Sequence, residues 1–163
     1  MKIPALWLKF NALLATAGGW LRSPVLLIVR VIWGWQFVQT GWGKLMNLDR
    51  TAAFFGDKLH IPFPKLNALM AGSTECFGGA LLLVGLASRP VSVPLIFTMG
   101  VALATTEQEA LAGLVKEFDL DKFCTATPTP FLLAALLVLA FGPGAVSLDR
   151  WLGLDKPGGR SAG

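Results

Sequence analysis

Four separate stretches of this 163-residue chain, at 24–42, 66–87, 90–106 and 128–146, are apolar enough and long enough to cross a bilayer. The first holds one charge, Arg30, the second holds one, Glu75, and the other two hold none. Each comes close to the ~20 residues that a helix rising 1.5 Å per residue needs for a ~30 Å hydrocarbon core, the third being the shortest. A soluble fold would have to wrap these segments in the polar remainder of the chain. With 54% hydrophobic residues and a mean hydropathy of +0.62, too little remainder exists. The expected fold is an all-α membrane protein: a four-transmembrane-helix bundle with amphipathic helices in its loops. One domain fills the chain, so any chemistry must take place inside the bundle or just above it.

Residues 1–22 read as an amphipathic segment lying in the membrane interface. Leu6, Phe10, Leu13 and Ala17 share one helical face, with Lys2, Lys9 and Thr16 elsewhere. The early lysines and the triplet Ala15, Thr16, Ala17 resemble a cleavable leader, but Lys9 and Asn11 interrupt the apolar run a leader needs. Residues 23–152 form the membrane domain, and 153–163, short, polar and glycine-rich, read as a disordered tail. Trp7, Trp20 and Trp151 suit anchors at the membrane–water boundary. In the loop at 107–123, Leu111, Leu114, Val115 and Phe118 follow helical spacing, and Thr106 with Glu109 offers a capping box. A shorter run at 51–59 precedes a turn punctuated by Pro62 and Pro64. Together the two loops would form a lid. Gly142, Pro143 and Gly144 should stop the last helix, after which Ser147 caps a short turn.

Orientation follows from Lys and Arg. One side holds Lys2, Lys9, Arg22, Arg89, Arg150, Lys156 and Arg160, the other Lys44, Arg50, Lys58, Lys65, Lys116 and Lys122. Seven against six places both termini in the cytoplasm and the long loops outside.

Arg30, Gly34, Phe37, Gly41 and Lys44 succeed one another at steps of four, three, four and three, so all five share one face. Gly72, Glu75, Gly78, Gly79 and Leu82 make a comparable face on the second helix. Small residues there admit close approach by a neighbouring helix or a ligand. If the two helices are antiparallel, Arg30 and Glu75 are separated along the axis by about 5–10 Å, partly closed by the length of their side chains. An ionisable group inside a membrane costs ~2.5–3.5 kcal/mol on insertion scales and normally faces a partner, water or a substrate. Two readings stand. The pair lines a polar cavity, to which Gln36, Gln39 and Thr40 would add polar atoms, or it clamps two helices with no ligand. Lys44 either joins that site or snorkels to the surface.

These same stretches resemble a family. The stripe R-x3-G-x2-F-x3-G-x2-K beginning at Arg30, the block E-x2-GG-x-LLL-x-GL-x-SR beginning at Glu75, and the ending DKF…P-x-PFLL…LAFGPG…SLDR beginning at Asp121 look like the DoxX family of small four-helix membrane proteins. The likeness spans nearly all of residues 25–152. It implies similarity to the membrane subunit of a thiosulfate:quinone oxidoreductase, which passes electrons from thiosulfate to quinone; other members are associated with oxidative-stress or thiol-handling complexes. By motif position it marks Arg30, Lys44 and Glu75 as candidates for a polar site.

The donor set limits the chemistry. The one histidine, His60, lies in a loop, and Cys76 and Cys124 form no CxxC, so no intrinsic haem, iron–sulfur cluster or thiol relay is expected. Glu117, Asp119 and Asp121 read as a solvated face, not a metal site. Free packing thiols are the default for the cysteines, with a disulfide left open if the lid dips. Quinone is the cofactor that the resemblance implies. Its pocket would take walls from Trp33, Trp35, Phe37 and Trp42, donors from Arg30, Gln36 or Gln39, and a proton from Glu75, with Lys44 at its edge. Glu75 and Arg30 are then the candidate catalytic pair. Aromatic residues at this spacing are equally the residues of helix packing and lipid contact.

Two functions fit. One is a quinone-linked oxidoreductase subunit, fed by a second substrate in the same pocket or by a partner subunit that holds a cofactor. The other is a non-catalytic accessory or assembly subunit of a larger membrane complex, docked through its glycine-rich faces. A transporter would call for inverted repeats or broken helices, which the chain lacks. The expected partners are the lipid bilayer, a redox subunit and a second copy of the chain, with no nucleic acid. The expected location is a bacterial cytoplasmic membrane.

Overall fold

A computed structural model describes residues 5–154, and these are helix, turn and loop throughout, with no strand. The chain is an all-α membrane protein. Lys2, Asp155, Lys156 and Arg160, and all of the tail expected at 153–163 except Gly153 and Leu154, lie outside the described residues.

Helix α1 runs unbroken from Ala5–Met46, through Pro24. At 1.5 Å per residue its 42 residues extend about 63 Å, twice a hydrocarbon core. The boundary expected at residue 22 is therefore no break in the helix. Instead the environment changes: every described side chain at 6–22 is exposed on all faces, and packing begins beyond it. A short α2, Leu48–Ala53, passes into a π-helical turn, Phe54–Lys58. The link to α3, Pro64–Val84, places His60 and Phe63 at positive φ, and Pro64 opens the helix where its missing N–H costs nothing. Gly85, at φ 73°, ends α3 in a Schellman turn: its N–H donates to Leu82 O (3.1 Å) and that of Leu86 to Leu81 O (2.9 Å).

Helix α4 spans Ser88–Thr106, α5 Gln108–Lys116, α6 Leu120–Thr125, α7 Pro128–Phe141 and α8 Leu148–Trp151. The single amphipathic helix expected at 107–123 is two short ones, broken at Phe118 in the left-handed region (φ 56°). Its buried face is Ala110 and Gly113, while Val115 and Phe118 point outward. The capping box does not form, because the Thr106 hydroxyl donates back to Ala102 O. At the other end the expected stop holds: Gly142 and Gly144 take positive φ, and Ser147 Oγ caps α8 by accepting from Arg150 N (3.2 Å).

Three helices, α1, α3 and α4, are long and apolar enough to cross a membrane. The fourth expected span is 14 residues in α7, about 21 Å, because the Gly142 stop falls early. The bundle is α1, α3, α4 and α7 around Phe37, Leu82, Leu95, Met99, Phe131 and Val138.

The stripe read from the sequence forms the contact of α1 with α3, and it brings backbone against backbone. A Cβ added to Gly41 would lie 2.3 Å from Cys76 N, one on Gly34 2.9 Å from Leu83 N, and one on Gly79 2.8 Å from Gly34 O. Glycine is required there because no side chain fits.

Candidate functional site

The α1–α3 contact positions both buried charges, but not against each other. Arg30, 1% exposed, lies level with the end of α3 rather than its middle. Its guanidinium donates to four carbonyls: Nε to Leu82 O (2.9 Å), Nη1 to Pro143 O (2.6 Å) and Val146 O (2.8 Å), and Nη2 to Leu83 O (3.1 Å). These oxygens lie at the end of α3 and in the loop after α7, Leu82 O also accepting from Gly85 N, and the planar fork of Arg reaches all four at once. Gly85 is fixed by the same group, since a Cβ there would stand 2.3 Å from Arg30 Nη2.

Asp149 completes this end. Its two oxygens accept from Ala87 N (2.6 Å) and Ser88 N (2.8 Å) at the start of α4, while its own N–H donates to Gly85 O (2.8 Å). The segment after α7 is thus strapped across the turn between α3 and α4. Arg22 adds a further tie, donating to Phe141 O with its guanidinium 5.5 Å from the Phe141 ring centre.

The expected Arg30–Glu75 pair is therefore corrected. Seven residues, about 10 Å of helix rise, separate Glu75 from Leu82, and the carbonyls hold Arg30 at the far end of that interval. The partner of Glu75 is Lys44, whose Nζ donates to Oε1. Glu75 has no exposed surface, and its second oxygen, Oε2, has no partner.

Lys44 and Glu75 border a cavity of about 840 Å³. Asn67, Met70, Ala71 and Thr74 line it from one face of α3, at helical spacing. Pro94, Phe97, Thr98, Val101, Ala102 and Thr105 line it from one face of α4, Thr40 from α1 and Phe131 from α7. Thr51, Phe54, Phe55, Leu59 and Ile61 line it from the first loop, one of the two loops expected to form the lid. The second loop reaches the cavity only near Glu107 and Thr127. Three of the lining threonine hydroxyls are turned to their own helices: Thr40 donates to Phe37 O (3.1 Å), Thr98 to Pro94 O (2.9 Å) and Thr105 to Val101 O (2.7 Å). A charged pair, its carboxylate fully buried with one unpartnered oxygen, thus borders a largely apolar chamber.

Of the other expected pocket residues, Gln36 and Gln39 are exposed on the outer face of α1 and line no part of the cavity. Trp33 and Phe37 stand behind the wall, packed edge-on against Phe131 at ring separations of 5.0 and 4.8 Å. Trp35 and Trp42 face outward. Arg30 does not line the cavity. Cys76 is buried and Cys124 exposed, both as free thiols. Among the described residues no group of three or more His, Cys, Asp or Glu is placed to hold a metal. The wall residues of α3 and α4 and the capping role of Asp149 went unread. The walls are mostly Ala, Thr, Met, Val and Phe, which carry no chemical signal, though their spacing of three and four did put them on common faces.

Comparison with known proteins adds the following. The family model described as DoxX matches residues 25–108. The chain is 32% identical over 133 residues to the uncharacterized membrane protein Rv3486 of Mycobacterium tuberculosis, covering 79% of this chain and 82% of that one. It is 32% identical over 131 residues to the inner membrane protein YphA of Escherichia coli, covering 79% and 91%. It is 34% identical over 93 residues to CatD of Bacillus subtilis, named provisionally as an oxidoreductase, covering 57% and 67%. No solved structure matches the chain.

Proposed function

Because this chain belongs to the DoxX family of membrane proteins, we propose that it is the membrane subunit of a quinone-linked oxidoreductase, with the Lys44–Glu75 cavity as its quinone site. The observation that carries the reading is the free Oε2 of Glu75. A buried carboxylate oxygen without a partner is costly, and a membrane interior leaves few ways to satisfy it. A ligand donor is one, and the hydroxyl of a quinol, the reduced form of quinone, is such a donor. The provisional oxidoreductase name of the Bacillus subtilis relative lends support.

A quinone supplies a two-electron, two-proton acceptor when bound. Lys44 holds Glu75 through Oε1 and leaves Oε2 to exchange a proton with a ligand oxygen. Phe131 and the apolar faces of α3 and α4 keep water from the chamber. Arg30, engaged by four carbonyls, is assigned to the scaffold and not to the reaction. Electrons come from a reduced-sulfur anion of the thiosulfate kind or from a partner subunit that carries a cofactor. The proposed setting is the bacterial cytoplasmic membrane, with both termini on the cytoplasmic side.

The test is to purify the protein in mild detergent, extract the bound small molecules and identify them by mass spectrometry. Stoichiometric quinone in the wild type, lost in Glu75→Gln at an unchanged elution profile, is the expected result. Quinone in neither sample, with the fold intact, would leave the accessory-subunit reading. The apolar surface of α1 at 6–22, which none of the described residues covers, favours that alternative.

A further inference from the structure

We infer that the cavity opens sideways into the membrane between α3 and α4, and that the apolar tail of a lipid-dissolved ligand lies in this cleft with its polar head at Glu75. The inference deepens the quinone reading and rests on it for the head group.

At one end α3 and α4 are held together by the short link at 85–87 and by Asp149. They are still in contact at Gly78, where an added Cβ would meet Leu95 Cδ2 at 3.1 Å and Val91 Cγ2 at 3.4 Å. Beyond that level their facing sides carry the small residues Ala71 and Ala102, and both border the cavity. The gap therefore widens toward the lid.

A side chain that lines a cavity and is also exposed marks a mouth. On α3 and α4, Phe97 (71% exposed), Met70 (58%) and Val101 (38%) do both, and all three are apolar, while Arg50 and Phe54 do both on the side of the first loop. Phe97 is the tenth of the 19 residues of α4, so this mouth lies at mid-depth on a membrane-length helix, where lipid is the neighbour. Glu75 lies at similar depth, eleven residues or about 16 Å along α3 from Pro64. A ligand carried in the bilayer reaches that depth by diffusion, whereas one from water must pass the lid and descend the whole distance.

Volume agrees. Ligand sites run to roughly 300–1,000 Å³, and a chamber of about 840 Å³ exceeds what one substituted ring fills. The remaining space, walled by Met70, Ala71, Phe97 and Ala102, suits a flexible hydrocarbon chain.

The test uses a benzoquinone whose decyl tail ends in a photoreactive diazirine, with the purified protein in nanodiscs of bacterial phospholipid. The labelled peptides are mapped by mass spectrometry, with and without excess untagged decyl-quinone. Labelling at Met70, Phe97 or Val101 that is lost on competition, and lost in Ala102→Phe, is the expected result. Competed labelling confined to Phe54, Leu59 and Ile61 would show entry through the lid and overturn the cleft while keeping the quinone site. Competed labelling that Ala102→Phe leaves unchanged would also overturn it. If Ala102→Phe does not fold, Ala71→Phe fills the cleft from the opposite wall and is read the same way. No competed labelling anywhere would remove the quinone reading itself.

Discussion

One end of this bundle and its middle each bury a charge, and they treat it in opposite ways. At one end the Arg30 guanidinium is surrounded by the carbonyls of Leu82, Leu83, Pro143 and Val146, with Asp149 supplying opposite charge nearby. At mid-depth, Glu75 has one cation on one oxygen and nothing on the second. Full satisfaction is what a scaffold requires, since each buried polar group left alone costs ~1–3 kcal/mol. Incomplete satisfaction beside an apolar chamber leaves bonding capacity for something else. Two intramembrane charges that look alike in the sequence thus separate into a fastening and a candidate reactive group.

The hardest test of that contrast is Arg30→Ala. Four carbonyls lose the guanidinium together, Leu82 O alone keeping a donor in Gly85 N, a loss comparable with the ~5–15 kcal/mol that holds a domain folded. The expected outcome is little or no monodisperse protein in size-exclusion chromatography of detergent extracts. Arg30→Lys keeps the charge and discards the fork, so it should recover only a small part of the yield. Recovery to the wild-type level by lysine would mean that charge alone matters there, and the fastening account would fail.

Gly41→Ala comes next. Its Cβ would fall 2.3 Å from Cys76 N, a backbone atom that cannot step aside, so α1 and α3 must separate. Overpacking of this kind costs about 1–3 kcal/mol. A lower Tm in a detergent thermal-shift assay checks it, with Gly43→Ala, where nothing lies within 4 Å, as the neutral control.

The sequence shows why one region was legible and the other only half so. Periodicity exposed the α1 stripe and its glycines, because close helix packing in a membrane leaves a residue-size pattern. It also gave the stop at Gly142. Register was out of its reach. Helical wheels say which face a residue occupies, not how far two helices slide along each other, so Arg30 and Glu75 were paired across an offset that Lys44 and the carbonyls of α3 in fact divide between them. Asp149 was equally hidden. Its partners are amides 61 and 62 residues away, and nothing local in the short α8 turn announces them. Asp149→Asn measures that hidden tie. Asparagine keeps one acceptor oxygen of the two, so one cap on α4 is lost at about 1 kcal/mol, read as a modest fall in Tm.

The smallest expected change in stability, from the double variant Lys44→Met with Glu75→Gln, bears most directly on the contrast. It removes both charges at nearly constant volume. Replacing a buried ion pair by neutral groups of similar size is often neutral or stabilising, because desolvation of the two ions offsets most of their attraction. The double variant should therefore melt at or above the wild-type Tm. Lys44→Met alone should melt below both, since it leaves Glu75 buried without its cation. Bound quinone should be absent from the double variant despite its sound fold. A double variant as damaged as Arg30→Ala would mean that Lys44 and Glu75 are a second fastening. The free Oε2 would then be an imperfection of packing and not an opening for chemistry.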